Sequence, residues 1–242
     1  AMSEDGSRYF YVNPLESDGG HHRSGWFGCS CCPPNIARLI ADLGEYIYGV
    51  DGKAVYIHQY IGCAARIGAT DIEMDTDYPF EDTVRIKASG GEATLYFRLP
   101  SWCGSPSCVI NGKETPLKKG KNGYVSLKHK GESEIVLTFP MDIVFNTAHP
   151  AIEDDRNKLC VTCGPLVYCA EETDNGRLDA LAVIKGGAVK TDKALFGKYP
   201  VIRARGFDLE ENKERELSLI PYYLWDNREP GAMKVWIPEY KE

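Results

Sequence analysis

Three cysteines in four positions, Cys29, Cys31 and Cys32, lie within Trp26-Phe27-Gly28-Cys29-Ser30-Cys31-Cys32-Pro33-Pro34-Asn35, directly ahead of a helical pattern. Backbone N–H groups at a helix N-terminus carry partial positive charge and favour thiolate over thiol. Adjacent Cys31 and Cys32 can also both reach one soft metal ion, although a zinc site usually takes four ligands and two do not close it. From the residues alone three readings stay open: buried or incidentally clustered thiols, a metal or nucleophile site, and a disulfide. Adjacent cysteines bridge each other only with strain.

The element that must position these thiols is a helix predicted from Pro34 to Tyr48, where Ile36, Leu39, Ile40, Leu43 and Ile47 recur at three- and four-residue spacings. Pro33 and Pro34 suit its first turn and Gly49 its exit. Beyond Gly49 the period falls to two, over residues 54–61, 83–88, 93–99, 124–127 and 134–139, which predicts strands. Asn111-Gly112 and Asn122-Gly123 are hairpin-turn dipeptides. A polar stretch from His149 to Lys158, containing Pro150, marks a boundary. Strand patterns resume at 159–169, 181–184, 217–223 and 234–237, while 185–216 carries no assignable period. Short strands at this spacing predict antiparallel β-sandwiches, and the final strand could complete the earlier one.

Composition narrows the function classes. Thirty-five acidic against 28 basic side chains leave a net charge of −7, and 43% apolar residues are enough for a folded core. The acidic balance repels phosphate backbones, so no nucleic-acid partner is expected. The most lipid-like stretch, Leu159 to Ala170, is about a dozen residues, short of the roughly 20 that a spanning helix needs. No membrane partner is expected either. Nine cysteines are odd in number and too sparse for a disulfide scaffold, which favours a reducing compartment. Ala1 ahead of Met2 reads as an expression scar, and no export signal follows it; a leader could precede the chain if it is part of something longer.

Other candidates carry less. Cys160 and Cys163 have redox-motif spacing but sit in a strand pattern, and Cys103 and Cys108 flank a turn where they could pair. His21-His22 read as a solvated loop pair, and lysines 113, 118, 119, 121, 128 and 130 as an exposed hairpin guarding an edge. Asp154-Asp155 and Glu171-Glu172 read as surface charge, because neighbours on a strand point to opposite faces. Trp102, Trp225 and Trp236 raise a rival reading of polysaccharide binding by stacked rings, although their apolar surroundings favour core positions.

The run Cys29-Ser30-Cys31-Cys32-Pro33-Pro34-Asn35-Ile36-Ala37-Arg38, preceded by Tyr9-Phe10-Tyr11-Val12-Asn13-Pro14-Leu15-Glu16, resembles the end of the catalytic domain of the β-L-arabinofuranosidases of glycoside hydrolase family 127. Phe97 to Trp102, Val109 to Gly112, Gly164 to Tyr168, Leu219 to Tyr223, Asn227-Arg228 and Met233 to Trp236 extend the resemblance through the chain. It covers only the C-terminal part of that family. The resemblance implies a mainly β fragment: residues 1–50 as the end of a truncated (α/α)₆ catalytic barrel, a β-sandwich over 51–148, and a second β-rich domain over 149–242.

It also implies a retaining glycosidase whose nucleophile is a zinc-held cysteine. Cys31 matches that nucleophile, Cys32 the second zinc ligand, and Tyr11 a tyrosine near them that contacts substrate. The remaining zinc ligands in the family come from an upstream Glu-x-Cys element and the acid/base from an upstream glutamate, yet no glutamate here stands two residues before any cysteine. The expectation is a carbohydrate-processing enzyme whose covered part is inactive alone and holds zinc weakly or not at all. The alternative is a non-catalytic carbohydrate-binding or oligomerisation module, with a homodimer as one partner arrangement.

Overall fold

The computed structural model describes residues 2–26, 28, 31–117, 120 and 122–241. They form two compact units, one of residues 34–141 and one joining 1–33 to 142–242. Both are built mainly of β-strands.

In the unit of residues 34–141, two long strands, Thr83–Arg98 and Tyr124–Thr138, pair antiparallel along their whole lengths. The sequence pattern predicts separate strands at 83–88 and 93–99, with Gly90-Gly91 between them. The chain instead runs through as one bulged strand: from Ser89 to Glu92 three steps face two on the partner, Glu132 to Lys130. Glycine is required there. Both residues take positive φ (72° and 52°), and a Cβ on Gly91 would lie 2.6 Å from Thr70 Oγ1. The bulge shifts the buried side chains from Val84, Ile86 and Ala88 to Ala93, Leu95 and Phe97, so both halves of the strand feed one core.

The first half pairs antiparallel with Thr70–Asp75 and the second pairs parallel with Ala54–Ile57. Asn111 and Gly112 close the predicted tight hairpin, both at positive φ (49° and 76°), between Ser107–Ile110 and Lys113–Glu114. Lys113, Lys128 and Lys130 are exposed as expected; Lys118, Lys119 and Lys121 lie outside the described residues.

The predicted helix is shorter than its period. It spans Cys32–Ala41, gives way to a 3₁₀ turn at Leu43–Tyr46, and Tyr48–Asp51 is already a strand. Gly44 breaks the pattern, since glycine costs a helix interior about 1 kcal/mol. Ile47 joins the β core, but Ile36, Leu39 and Ile40 are exposed, and no residue of the helix is buried.

In the other unit, Lys158–Cys163 and Leu166–Glu171 form a hairpin across Gly164 (φ 56°) where the sequence pattern reads one strand. Their pairing closes a ring. From Leu166–Glu171 the ladder runs through Lys213–Pro221, Tyr199–Asp208, Leu181–Ile184 and Trp236–Tyr240 back to Lys158–Cys163. The unassigned stretch 185–216 thus supplies ring strand Tyr199–Asp208 and its neighbour Val189–Leu195. The last strand does not complete the earlier sheet; it sits parallel to Leu181–Ile184 inside its own ring. Ile143–Thr147 and the pair Glu16–Ser17 and Met233–Lys234 extend the ring outward. Among the described residues no helix is long and apolar enough to cross a membrane.

Candidate active site

The segment before the cysteines has little regular structure and is held by what it touches. Tyr9 exchanges backbone hydrogen bonds with Ser24 (3.1 Å each way). Further along, the Tyr222 hydroxyl donates to the Pro14 carbonyl (2.7 Å), Val235 N–H to Leu15 O (2.9 Å), and Glu16–Ser17 pairs with Met233–Lys234. Between these ties, half-exposed Tyr11 reaches the start of the helix.

There its hydroxyl lies 3.4 Å from Cys31 Sγ and accepts from the Cys32 thiol at 3.3 Å, and the two sulfurs are 3.5 Å apart. The three sequence-predicted site residues therefore stand together, across a separation of 20 positions. Cys29 lies outside the described residues. Both Cys31 and Cys32 are exposed thiols; their separation is well beyond a disulfide bond. No acidic residue occupies the first turn of the helix, so its N–H dipoles at Cys32 face no local carboxylate from that turn.

The pair suits a soft metal as far as it goes. Two thiolates on a tetrahedral zinc, each about 2.3 Å from the ion, stand about 3.8 Å apart, close to the observed separation. Among the described residues no group of three or more His, Cys, Asp or Glu side chains could hold an ion, so the two thiols by themselves do not close a metal site.

The other candidates are structural. Cys160 and Cys163 are buried thiols an odd number of positions apart on one strand, so they point to opposite faces. Burial pushes the Cys160 and Cys108 thiols up to about 11 and raises Cys163 and Cys169 as well. At pH 8 a thiol of that kind is ionised in about one molecule in a thousand. Iodoacetamide at pH 8 is accordingly expected to label Cys31 and Cys32 before Cys103, Cys108, Cys160, Cys163 and Cys169, read by peptide mass spectrometry. Equal rates across the set would contradict the burial.

The His21 ring contacts Val12 O (2.9 Å) through Nε2 and the His22 ring contacts Asp226 (2.8 Å) through Nδ1; both lie in a loop, His22 exposed as expected and His21 half-buried. Trp225 is fully buried, and Trp102 and Trp236 pack against the two cores, which leaves none of the three as an open stacking face.

Glu171 is buried, not surface charge: it pairs with the Arg228 guanidinium and accepts the Asp226 N–H at 2.7 Å. Burial raises its carboxyl above the usual range while Arg228 opposes the shift. Its partner Arg228 stands 57 positions downstream, so nothing near Glu171 in the sequence announces the pairing.

With this geometry in place, the comparisons are consistent along the chain. Residues 1–45 match the β-L-arabinofuranosidase GH127 catalytic domain, 54–142 the GH127 middle domain, and 143–238 the glycoside hydrolase family 127 C-terminal domain. The chain belongs to glycoside hydrolase family 127. It is 35% identical to a non-reducing end β-L-arabinofuranosidase of Bifidobacterium longum subsp. longum, over 97% of this chain and 42% of that protein. Among solved structures it resembles a GH127 β-L-arabinofuranosidase from Geobacillus stearothermophilus T6, with 33% identity and a TM-score of 0.88 over 99% of this chain and 44% of the other. A second GH127 β-arabinofuranosidase gives 29% identity and the same TM-score over 99% of this chain and 43% of that one. The chain spans less than half the length of the relatives it matches.

Proposed function

We propose that this chain is the C-terminal part of a retaining glycoside hydrolase acting on β-L-arabinofuranosides or related sugars, with Cys31 as nucleophile. The observation that carries the reading is the contact of Tyr11, Cys31 and Cys32 at 3.3 to 3.5 Å within the stretch that matches the catalytic domain. Residues 1–50 are then the end of an (α/α)₆ barrel, and the exposed Ile36, Leu39 and Ile40 are a face that upstream helices cover. The β regions that follow, the sheet of the 34–141 unit and the closed strand ring of the other unit rather than a second sandwich, are then the domains that come after that barrel.

A retaining mechanism needs a nucleophile at the anomeric carbon and a second group that first protonates the leaving oxygen and then activates water. Cys31 Sγ forms the bond to the anomeric carbon as the glycosidic C–O bond breaks. The leaving oxygen takes its proton from a carboxylic acid supplied upstream. Water, activated by the resulting carboxylate, then displaces Cys31 and regenerates the thiolate. Cys31 and Cys32 would hold zinc together with upstream ligands; bound there, the ion keeps the sulfur ionised near neutral pH. Tyr11 fixes the orientation of both sulfurs through its hydroxyl.

The reading makes the 242-residue chain inactive alone. Hydrolysis of an aryl β-L-arabinofuranoside is compared between this chain and a protein extended upstream to the length of its relatives, with bound zinc measured in both. Turnover and stoichiometric zinc are expected only in the longer protein. Turnover by the short chain that disappears in Cys31→Ser would refute the inactivity, and a longer protein without activity on any arabinofuranoside would refute the assignment.

A further inference from the structure

We infer that Arg23 and Asp226 are positioning residues for the Tyr11–Cys31–Cys32 cluster: the C-terminal corner at residues 223–226 grips the chain on both sides of Tyr11 and holds its hydroxyl against the two sulfurs. The catalytic consequence rests on the reading of Cys31 as nucleophile; the structural coupling does not.

The grip begins with Phe10, the residue before Tyr11, which is buried and stacked on Trp225 at 4.5 Å with 12° between the rings. The Arg23 guanidinium lies 4.3 Å above the same Phe10 ring. Arg23 is itself buried, and it donates to the carbonyl oxygens of Trp225 and of Tyr223 (3.0 Å). A buried guanidinium is tolerated only when its donors are met, and here the carbonyls that meet them belong to the corner that also carries the stacked indole. On the other side of Tyr11, the Val12 carbonyl bonds the His21 ring (2.9 Å), which stacks on Phe10 at 5.1 Å. Tyr11 thus sits between two fixed neighbours.

Asp226 locks the arrangement. One carboxylate oxygen accepts from Arg23 N–H (3.1 Å) and the other meets His22 Nδ1 (2.8 Å), while its own N–H donates to Glu171 (2.7 Å). The residue holds φ at 57°, a conformation that costs a non-glycine residue free energy and persists where the surroundings over-determine it. Aspartate and asparagine tolerate it best. The corner therefore does more than cover the N-terminal segment. It selects the register in which the phenol meets the thiols.

The test is a double-mutant cycle on the 242-residue chain, read as the ratio of iodoacetamide labelling at Cys31 to that at Cys32, assigned by fragment ions. Tyr11→Phe and Arg23→Met are each expected to change this ratio by at least about threefold. The double variant should show no more change than Tyr11→Phe alone, because Arg23 acts through Tyr11. Asp226→Asn keeps size and backbone preference, and it is expected to give a smaller change that Tyr11→Phe likewise abolishes. It keeps the test decisive if Arg23→Met fails to fold.

Effects that multiply, or a wild-type ratio in a folded Arg23→Met or Asp226→Asn variant, would overturn the inference. The outcome is separable from the catalytic reading. Coupled labelling with an active Cys31→Ser longer protein would sink the nucleophile and spare the positioning, and uncoupled labelling with an inactive Cys31→Ser protein would do the reverse.

Discussion

Replacing Cys31 by serine in the upstream-extended protein is expected to lower kcat/KM on an aryl β-L-arabinofuranoside by at least about ten-thousand-fold, the scale on which removing a covalent nucleophile acts. Serine keeps the shape of the side chain but offers a hydroxyl that stays protonated near neutral pH and binds soft metals poorly. The loss should therefore fall on kcat, with the fold intact, since Cys31 is exposed and contributes nothing to either core. Cys32→Ser separates metal holding from attack: it is expected to lose most activity together with bound zinc, while Cys31 still reacts with iodoacetamide. Tyr11→Phe removes one hydroxyl that touches both sulfurs, and a loss of about ten- to a hundredfold fits a group that orients rather than reacts. Steady-state kinetics with zinc analysis on the three variants checks the order. Activity of Cys31→Ser within tenfold of the parent would move the nucleophile elsewhere.

How far the chain could be read without coordinates depended on the range of the interaction. Asn111-Gly112 specified its hairpin because the turn needs positive φ at two adjacent residues, which is a local requirement. The helix start read at Pro34 lies two residues inside the observed start at Cys32, but the end was missed by more, since Gly44 and the β core at Ile47 overrode an apolar period that continued. Residues 83–88 and 93–99 read as two strands and are one bulged strand, a choice made by the partner strand 124–138 that pairs with both halves. The strand ring was invisible for a similar reason: it depends on a hairpin at Gly164 and on a parallel pairing between segments more than 50 positions apart. Cys31 and Cys32 stood out by spacing alone. Tyr11 was found only by resemblance, because nothing in its neighbourhood announces a contact 20 residues away.

Arg228 and Glu171 belong to that long-range class, and removing one of them is expected to have the second large effect. Arg228→Met should destabilise the unit formed by 1–33 and 142–242 by about 3–5 kcal/mol at pH 7, the usual cost of stripping the partner from a buried charge. Glu171 would keep its Asp226 N–H bond but lose the cation that opposes its desolvation, and Asp174 would lose its bidentate partner as well. The pH dependence has a definite sign. Because the folded-state carboxyl is raised above its unfolded value, the folded protein binds a proton that the unfolded chain releases, and stability falls as pH rises through that window. Below the unfolded value of about 4.3 both states are protonated and this cost vanishes. Arg228→Met widens the window upward, so its deficit relative to the parent should shrink on acidification from pH 7 toward pH 5. Urea unfolding across that range measures it, and Glu171→Gln in the Arg228→Met background should restore part of the loss at pH 7 and flatten the profile. A deficit that stays constant with pH would assign the effect to lost packing of the arginine stem instead of to the buried carboxylate.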